Sequence, residues 1–172
     1  MTPESPEEHR QRGPSRVICA VITVSDTRTL ADDRSGQTAL DILQAAGHPV
    51  VHREIVPDEP DKIQQALQNL LDREDIQAVI LTGGTGLSSR DITVETVNLF
   101  LTKLLPGFGE LFRMLSYQEI GPAAMLSRAT AGLAGRAVVF VLPGSPQAVR
   151  LALEKLIAPE LGHLIGQVHR KT

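Results

Sequence analysis

The sequence is poor in aromatic side chains. It has no Trp, one Tyr and four Phe in 172 residues, so the stacking platforms of single-stranded nucleic-acid binders are missing. Lys and Arg number 17 against 20 Asp and Glu, a formal charge of −3. No basic block forms a phosphate-tracking stripe, and a nucleic-acid partner is not expected. One cysteine, Cys19, excludes an internal disulfide framework and suits a reducing, cytoplasmic setting. Cys19 lies within the apolar run Val17-Ile18-Cys19-Ala20-Val21-Ile22, where nothing would lower a thiol pKa. It reads as a small buried hydrophobe rather than a reactive thiol. No apolar run reaches the roughly 20 residues of a membrane-spanning helix. The first fifteen residues also lack the apolar stretch of a signal peptide.

What is present is aliphatic. With apolar residues at 42% and few aromatics, the core must rest on Val, Leu, Ile and Ala, as in a buried parallel sheet. The length suits one domain, expected over residues 16–172, that needs neither disulfides nor a structural metal. Residues 1–15 are polar and Pro-punctuated and read as a disordered tail, or as an arm that orders against a neighbouring subunit.

Strands are expected over 16–25, over 48–56, where apolar and polar residues alternate, at 78–81, over 127–133 and at 136–142. Helices are expected from Asp32 or Asp33 to Gly47, from Pro60, from Thr93, from Pro106 to Gly121-Pro122, and from Ser145-Pro146 onward with a kink at Pro159. Strands alternating with helices predict a three-layer α/β/α sandwich around a mostly parallel sheet.

In such sheets ligands bind beyond the carboxyl ends of the strands. Three strand ends run into suitable loops: Ser25-Asp26, Thr82-Gly83-Gly84-Thr85-Gly86 and Pro143-Gly144-Ser145-Pro146. The second is neither a Walker A loop nor a dinucleotide fingerprint. Its glycines still permit close backbone approach, and their N–H groups can form an anion-binding concavity. A tight turn is the alternative, but three glycines in four residues exceed what one turn requires. Arg90 could pair with a phosphate. Asp91 would be repelled by one unless a divalent cation lay between them, which suggests Mg²⁺; otherwise Asp91 is a helix N-terminal residue favoured by the macrodipole. Asp58 stands at the end of the second strand and, taken alone, reads as a Pro-Asp turn residue. His48 and His52 have no evident third ligand and read as surface or core-edge histidines rather than a metal pair.

Taken together, Thr23-Val24-Ser25-Asp26, Val56-Pro57-Asp58, the Thr82–Gly86 loop with Arg90-Asp91, Pro106-Gly107-Phe108-Gly109-Glu110, Leu126-Ser127-Arg128 and Pro143-Gly144-Ser145-Pro146 resemble the MoaB/Mog family of molybdenum-cofactor biosynthesis proteins. The resemblance spans about residues 16–161. The 112–121 segment and the Asp32-Asp33-Arg34-Ser35-Gly36 loop lean towards the MoaB branch.

The resemblance implies an α/β/α sandwich assembling as trimers or hexamers, with molybdopterin as ligand. It implies transfer of AMP from ATP to the terminal phosphate of molybdopterin, with Mg²⁺ and release of pyrophosphate. Asp58 and Asp91 match the family's essential carboxylates and are expected to be catalytic and metal-binding. Ser25 and Ser127 match pterin- or phosphate-contacting positions. Thr82, Gly83, Gly84, Thr85, Gly86 and Arg90, with Pro143, Gly144 and Ser145, match the nucleotide cradle, and Arg90 or Arg128 could neutralise the pyrophosphate. Other proteins of the pathway are conceivable partners. Two alternatives stay open: a non-catalytic pterin carrier or scaffold, and a nucleotide-binding regulatory module, which has no reason to keep the full motif set.

Overall fold

The computed structural model describes residues 13–170. Its centre is a six-stranded sheet made of β1 (Cys19–Val24), β2 (Val50–Val56), β3 (Ala78–Thr82), β4 (Lys103–Leu104), β5 (Thr130–Ala134) and β6 (Ala137–Leu142), in the spatial order β2-β1-β3-β6-β5-β4. The first four strands in that order run parallel, and β5 pairs antiparallel with both β6 and β4. Strands β1, β3 and β6 are buried along their whole length, so alternate side chains feed two cores. Cys19, Val21, Ala78, Ile80, Val138 and Phe140 face one; Ala20, Ile22, Val79, Leu81, Val139 and Val141 face the other. Burial also pushes the Cys19 thiol up to about 12, which makes it inert.

Helices α1 (Arg34–Ala45), α4 (Pro106–Ile120), α5 (Pro146–Ala152) and α6 (Ala158–Val168) cover the first face, while α2 (Pro60–Leu71) and α3 (Thr93–Asn98) cover the second. The three-layer sandwich is therefore the observed architecture. Asp33 caps α1 by accepting from the Gly36 N–H at 2.9 Å, and Ser145 caps α5 by accepting from Ala148 N–H at 3.2 Å with Pro146 first in the helix.

Several boundaries differ from expectation. The opening strands begin later, at Cys19 and Val50, and His48 instead precedes β2, buried, with its Nδ1 accepting from the Val17 N–H at 3.1 Å. The strand expected over 127–133 begins at Thr130, because Gly121–Leu126 continues α4 as a 3₁₀ turn. The two-residue β4 was not anticipated. The kink expected at Pro159 is absorbed by a π turn over Leu153–Ile157, which accommodates the N–H that proline lacks. The tail expected over residues 1–15 lies mostly outside the described residues. Of its end, Gly13 and Pro14 lie against Gly162 of α6 so closely that no side chain would fit at either glycine.

Candidate functional site

The order of connections places the site. From β1 the chain crosses to β2 on one side and then to β3 on the other, so the loops leaving β1 and β3 part at a topological switch point, where open parallel sheets bind ligands. The Ser25, Asp58, Thr82–Gly86 and Pro143–Ser145 segments all leave carboxyl ends of β1, β2, β3 and β6 and gather at that edge.

The glycine loop is shaped by close approach. Gly83 has φ +100° and Gly84 φ +61°. A methyl group on Gly83 would sit 2.2 Å from the Val24 carbonyl oxygen. On Gly84 it would lie 2.1 Å from Thr93 Oγ1 and 3.0 Å from Asp58 Oδ1, and on Gly86 it would lie 2.6 Å from Asp91 Oδ2. Asp58 and Asp91, from separate loops, thus flank one glycine run. Gly144 completes the cradle, its Cβ position 3.3 Å from Gly83 Cα.

The two carboxylates are in opposite environments. Asp91 is held below the ordinary carboxylate value, first by the Ser88 hydroxyl, which donates to Oδ2 at 2.6 Å, and then by the Ser88 and Gly86 N–H groups and Arg128. Asp58 is pushed up, first by burial and then by the charges of Asp91 and Asp26, against smaller opposing effects of the Ile92 N–H and Arg90. Its Oδ1 is buried with no hydrogen-bond partner, as is Thr93 Oγ1. An orphaned carboxylate oxygen beside a second carboxylate fits a divalent cation. Among the described residues no three His, Cys, Asp or Glu side chains form a metal-holding group, and Mg²⁺ needs only one or two carboxylates when substrate phosphates and water supply the rest.

The Asp58 environment has a sign. The folded chain holds the Asp58 proton more readily than the unfolded chain, so this group's contribution to stability is complete below the ordinary aspartate value. It is lost as pH rises through the raised folded value. Asp58→Asn is expected to melt above wild type at neutral pH in metal-free buffer, with the difference vanishing in acid. Equal melting at neutral pH would contradict the burial described.

Beside the glycine loop lies a cleft of about 380 Å³ lined by Ser25, Arg28, Asp33, Arg34, Ser35, Thr82, Gly83 and Gly144, among others, within the range of small-molecule sites. Ser25 is present, its hydroxyl accepting from the Thr27 and Arg28 N–H groups. Several nominated hydroxyls hold the scaffold together: Thr82 donates to the Pro143 carbonyl at 3.0 Å, and Ser145 is committed to its helix cap. Ser127 does not line the cleft; its Oγ accepts from the Ala129 N–H at 3.4 Å. Arg90 is paired with Asp26 at 2.6 Å, both largely exposed. Such a pair contributes little, so Arg90 is available to exchange onto a phosphate. Arg128 departs from expectation, because its guanidinium is directed at protein acceptors: the Thr85 and Asp91 carbonyls and Glu95.

Sequence reasoning also missed Arg28, Arg34 and Ser35 as cleft residues, and the Asp33–Arg53 ion pair behind them at 2.9 Å. Ser35 donates to the Gly144 carbonyl at 2.6 Å, which ties the α1 start to the last loop. The signal was available in the Asp33-Arg34-Ser35-Gly36 run, read only as a helix cap and as a mark of one branch of the family. A larger, apolar groove of about 600 Å³, between Phe108, Phe140, Leu156 and His163, shares no residue with this cleft.

A family profile described as "Probable molybdopterin binding domain" matches residues 20–163. "Molybdenum cofactor biosynthesis protein B" of Bacillus anthracis is 52% identical over 165 residues, covering 95% of this chain and 98% of that protein. The Bacillus subtilis protein of that name is 49% identical over 96% of this chain and 98% of its own length. Among solved structures, the tungsten cofactor synthesizing protein MoaB from Pyrococcus furiosus superposes with a TM-score of 0.82 at 38% identity, covering 91% of this chain and 99% of that one.

Proposed function

Because the chain belongs to the MoaB/Mog family of molybdenum-cofactor biosynthesis proteins, we propose that it binds molybdopterin and transfers AMP from ATP to the terminal phosphate of that pterin, releasing pyrophosphate. The observation that carries this reading is the placement of Asp58 and Asp91 on either side of one glycine run.

The nucleophile is a phosphate monoester with a second pKa of about 6, largely ionised at neutral pH, so no general base is required. The obstacle is repulsion between that anion and the triphosphate, and the remedy is charge neutralisation and positioning. Asp91 and the orphaned Oδ1 of Asp58 would hold Mg²⁺, which would supply that neutralisation when bound. Gly83, Gly84 and Gly86 admit phosphates to the loop backbone. Arg90 leaves Asp26 for a phosphate oxygen. The pterin occupies the neighbouring cleft, where Arg28 and Arg34 bring two cations to an anionic ligand. Ser127, outside that cleft, is proposed as a contact for the pterin or a phosphate.

Self-association as a trimer or hexamer belongs to the same reading. On α4 and the turn after it, Leu111, Met114, Tyr117, Ile120, Met125 and Leu126 are exposed, a contiguous stretch of sequence that a solitary domain would leave wet. A monomeric mass by light scattering would overturn it. The setting proposed is cytoplasmic; no helix among the described residues is long and apolar enough to cross a membrane.

The deciding experiment mixes the protein with ATP, Mg²⁺ and molybdopterin and measures pyrophosphate. Release that requires all three is expected. Pterin binding without release would make the protein a carrier or scaffold instead.

A further inference from the structure

Outside itself, the loop that carries Asp91 is tied by the exposed Arg90–Asp26 pair and by the Thr93 N–H, which donates to the Gly84 carbonyl at 3.0 Å. Residues 86–90 are all exposed, and the Asp91 carboxylate is bonded within its own loop, to Ser88 N–H at 3.0 Å and Ser88 Oγ at 2.6 Å. Those bonds shape the loop but do not fix it to the sheet. A further contact, which reaches both stems at once, comes from far along the chain. Arg128, on the segment that leads into β5, donates from Nε to the Thr85 carbonyl at 3.1 Å and from Nη2 to the Asp91 carbonyl at 2.7 Å. Its Nη1 meets Glu95 of α3. One half-buried guanidinium therefore grips both stems of the loop and braces them against the helix that follows.

We propose that Arg128 is the positioning residue of this site: it closes the stems of the 86–90 loop so that the Asp91 carboxylate stands opposite Asp58 at the separation a shared cation needs. This rests on the adenylyl-transfer reading for the cation, but the loop closure itself does not. The geometry depends on a planar fork with donors at fixed angles. Lysine offers a point charge and cannot span two carbonyls in this way. Arg128 also follows Ser127 directly in sequence, so an anion bound at Ser127 would firm the same segment that holds Asp91.

The test uses the full-length chain with Arg128→Lys and Arg128→Met. In metal-free protein, amide hydrogen exchange over residues 86–91 is expected to quicken in both variants, while exchange in β1, β3 and β6 stays as in wild type. With ATP present, Mn²⁺ affinity read by electron paramagnetic resonance is expected to fall about 10–100-fold, the loss usual when a partner behind a metal ligand is removed. A purely stabilising role would lower the melting temperature and leave the Mn²⁺ affinity of the folded protein unchanged. Should Arg128→Met fail to fold, Arg128→Lys decides. Wild-type exchange over 86–91, or full Mn²⁺ affinity in Arg128→Lys, overturns the proposal. Wild-type protein that takes up no Mn²⁺ with ATP would instead overturn the adenylyl-transfer reading, and the exchange measurement alone would then judge Arg128.

Discussion

Asp91→Asn is expected to lower pyrophosphate release by about 10²–10³-fold or more, the scale seen when a fixed electrostatic group is removed from a reacting centre, while molybdopterin binding persists. The substitution is nearly isosteric. An amide oxygen in the Oδ2 position can still accept from the Ser88 N–H and hydroxyl, so the loop keeps its internal turn. What disappears is the negative charge opposite Asp58. The cleft proposed for the pterin is bounded by Ser25, Arg28, Arg34 and Gly144 and does not include Asp91, which is why binding and turnover should separate. Pyrophosphate release within tenfold of wild type would remove Asp91 from the reaction. Loss of pterin binding along with turnover would mean that the loop supports the cleft as well.

Asp33→Ala should produce the largest loss of stability, about 3–5 kcal/mol, because it leaves a largely but not fully buried guanidinium without its counter-charge. The Asp33 side chain is 1% exposed and that of Arg53 14%. Asp33 also accepts from the Thr23 hydroxyl at 2.8 Å and from the Gly36 N–H that it caps. Arg53 uses its remaining terminal nitrogen on Gln37. One substitution thus unpins β1, β2 and the start of α1 together. In a chain of this length the expected fall in melting temperature is roughly 10 °C. Adding Arg53→Met to Asp33→Ala should restore part of it, because the unpaired charge is then gone. A single variant that melts with wild type would show that the ion pair is not needed. Since Ser35 and its bond to the Gly144 carbonyl sit two residues further on, the same variant should also loosen the cleft proposed for the pterin.

Legibility from sequence varied with the range of the interaction. The strands β1, β3 and β6 were readable because an aliphatic run between turn signals leaves a chain few other options. The α1 and α5 starts were readable because a cap acts on a backbone three residues away. Arg128 was not readable. Its spacing of 37 residues from Asp91 carries no periodicity, and a lone arginine beside a phosphate loop invites assignment to the phosphate. The short β4 and the 3₁₀ turn after α4 were missed for the opposite reason: each has too few residues to form a pattern. Thr82 and Ser145 were nominated as ligand contacts through the family resemblance, and each hydroxyl has an acceptor or donor in the protein itself.

The sequence by itself determined the class of fold and singled out the glycine-bearing loops at the strand ends, because hydrophobic period, caps and glycine runs are local properties that survive without neighbours. Only the tertiary structure decided which side chains within those loops are free for chemistry and which are spent holding the loops in place. That division depends on where a hydrogen bond finds its partner, and the partners of Arg128, Ser35 and Arg53 come from strands and turns that meet only after the chain has closed around the sheet.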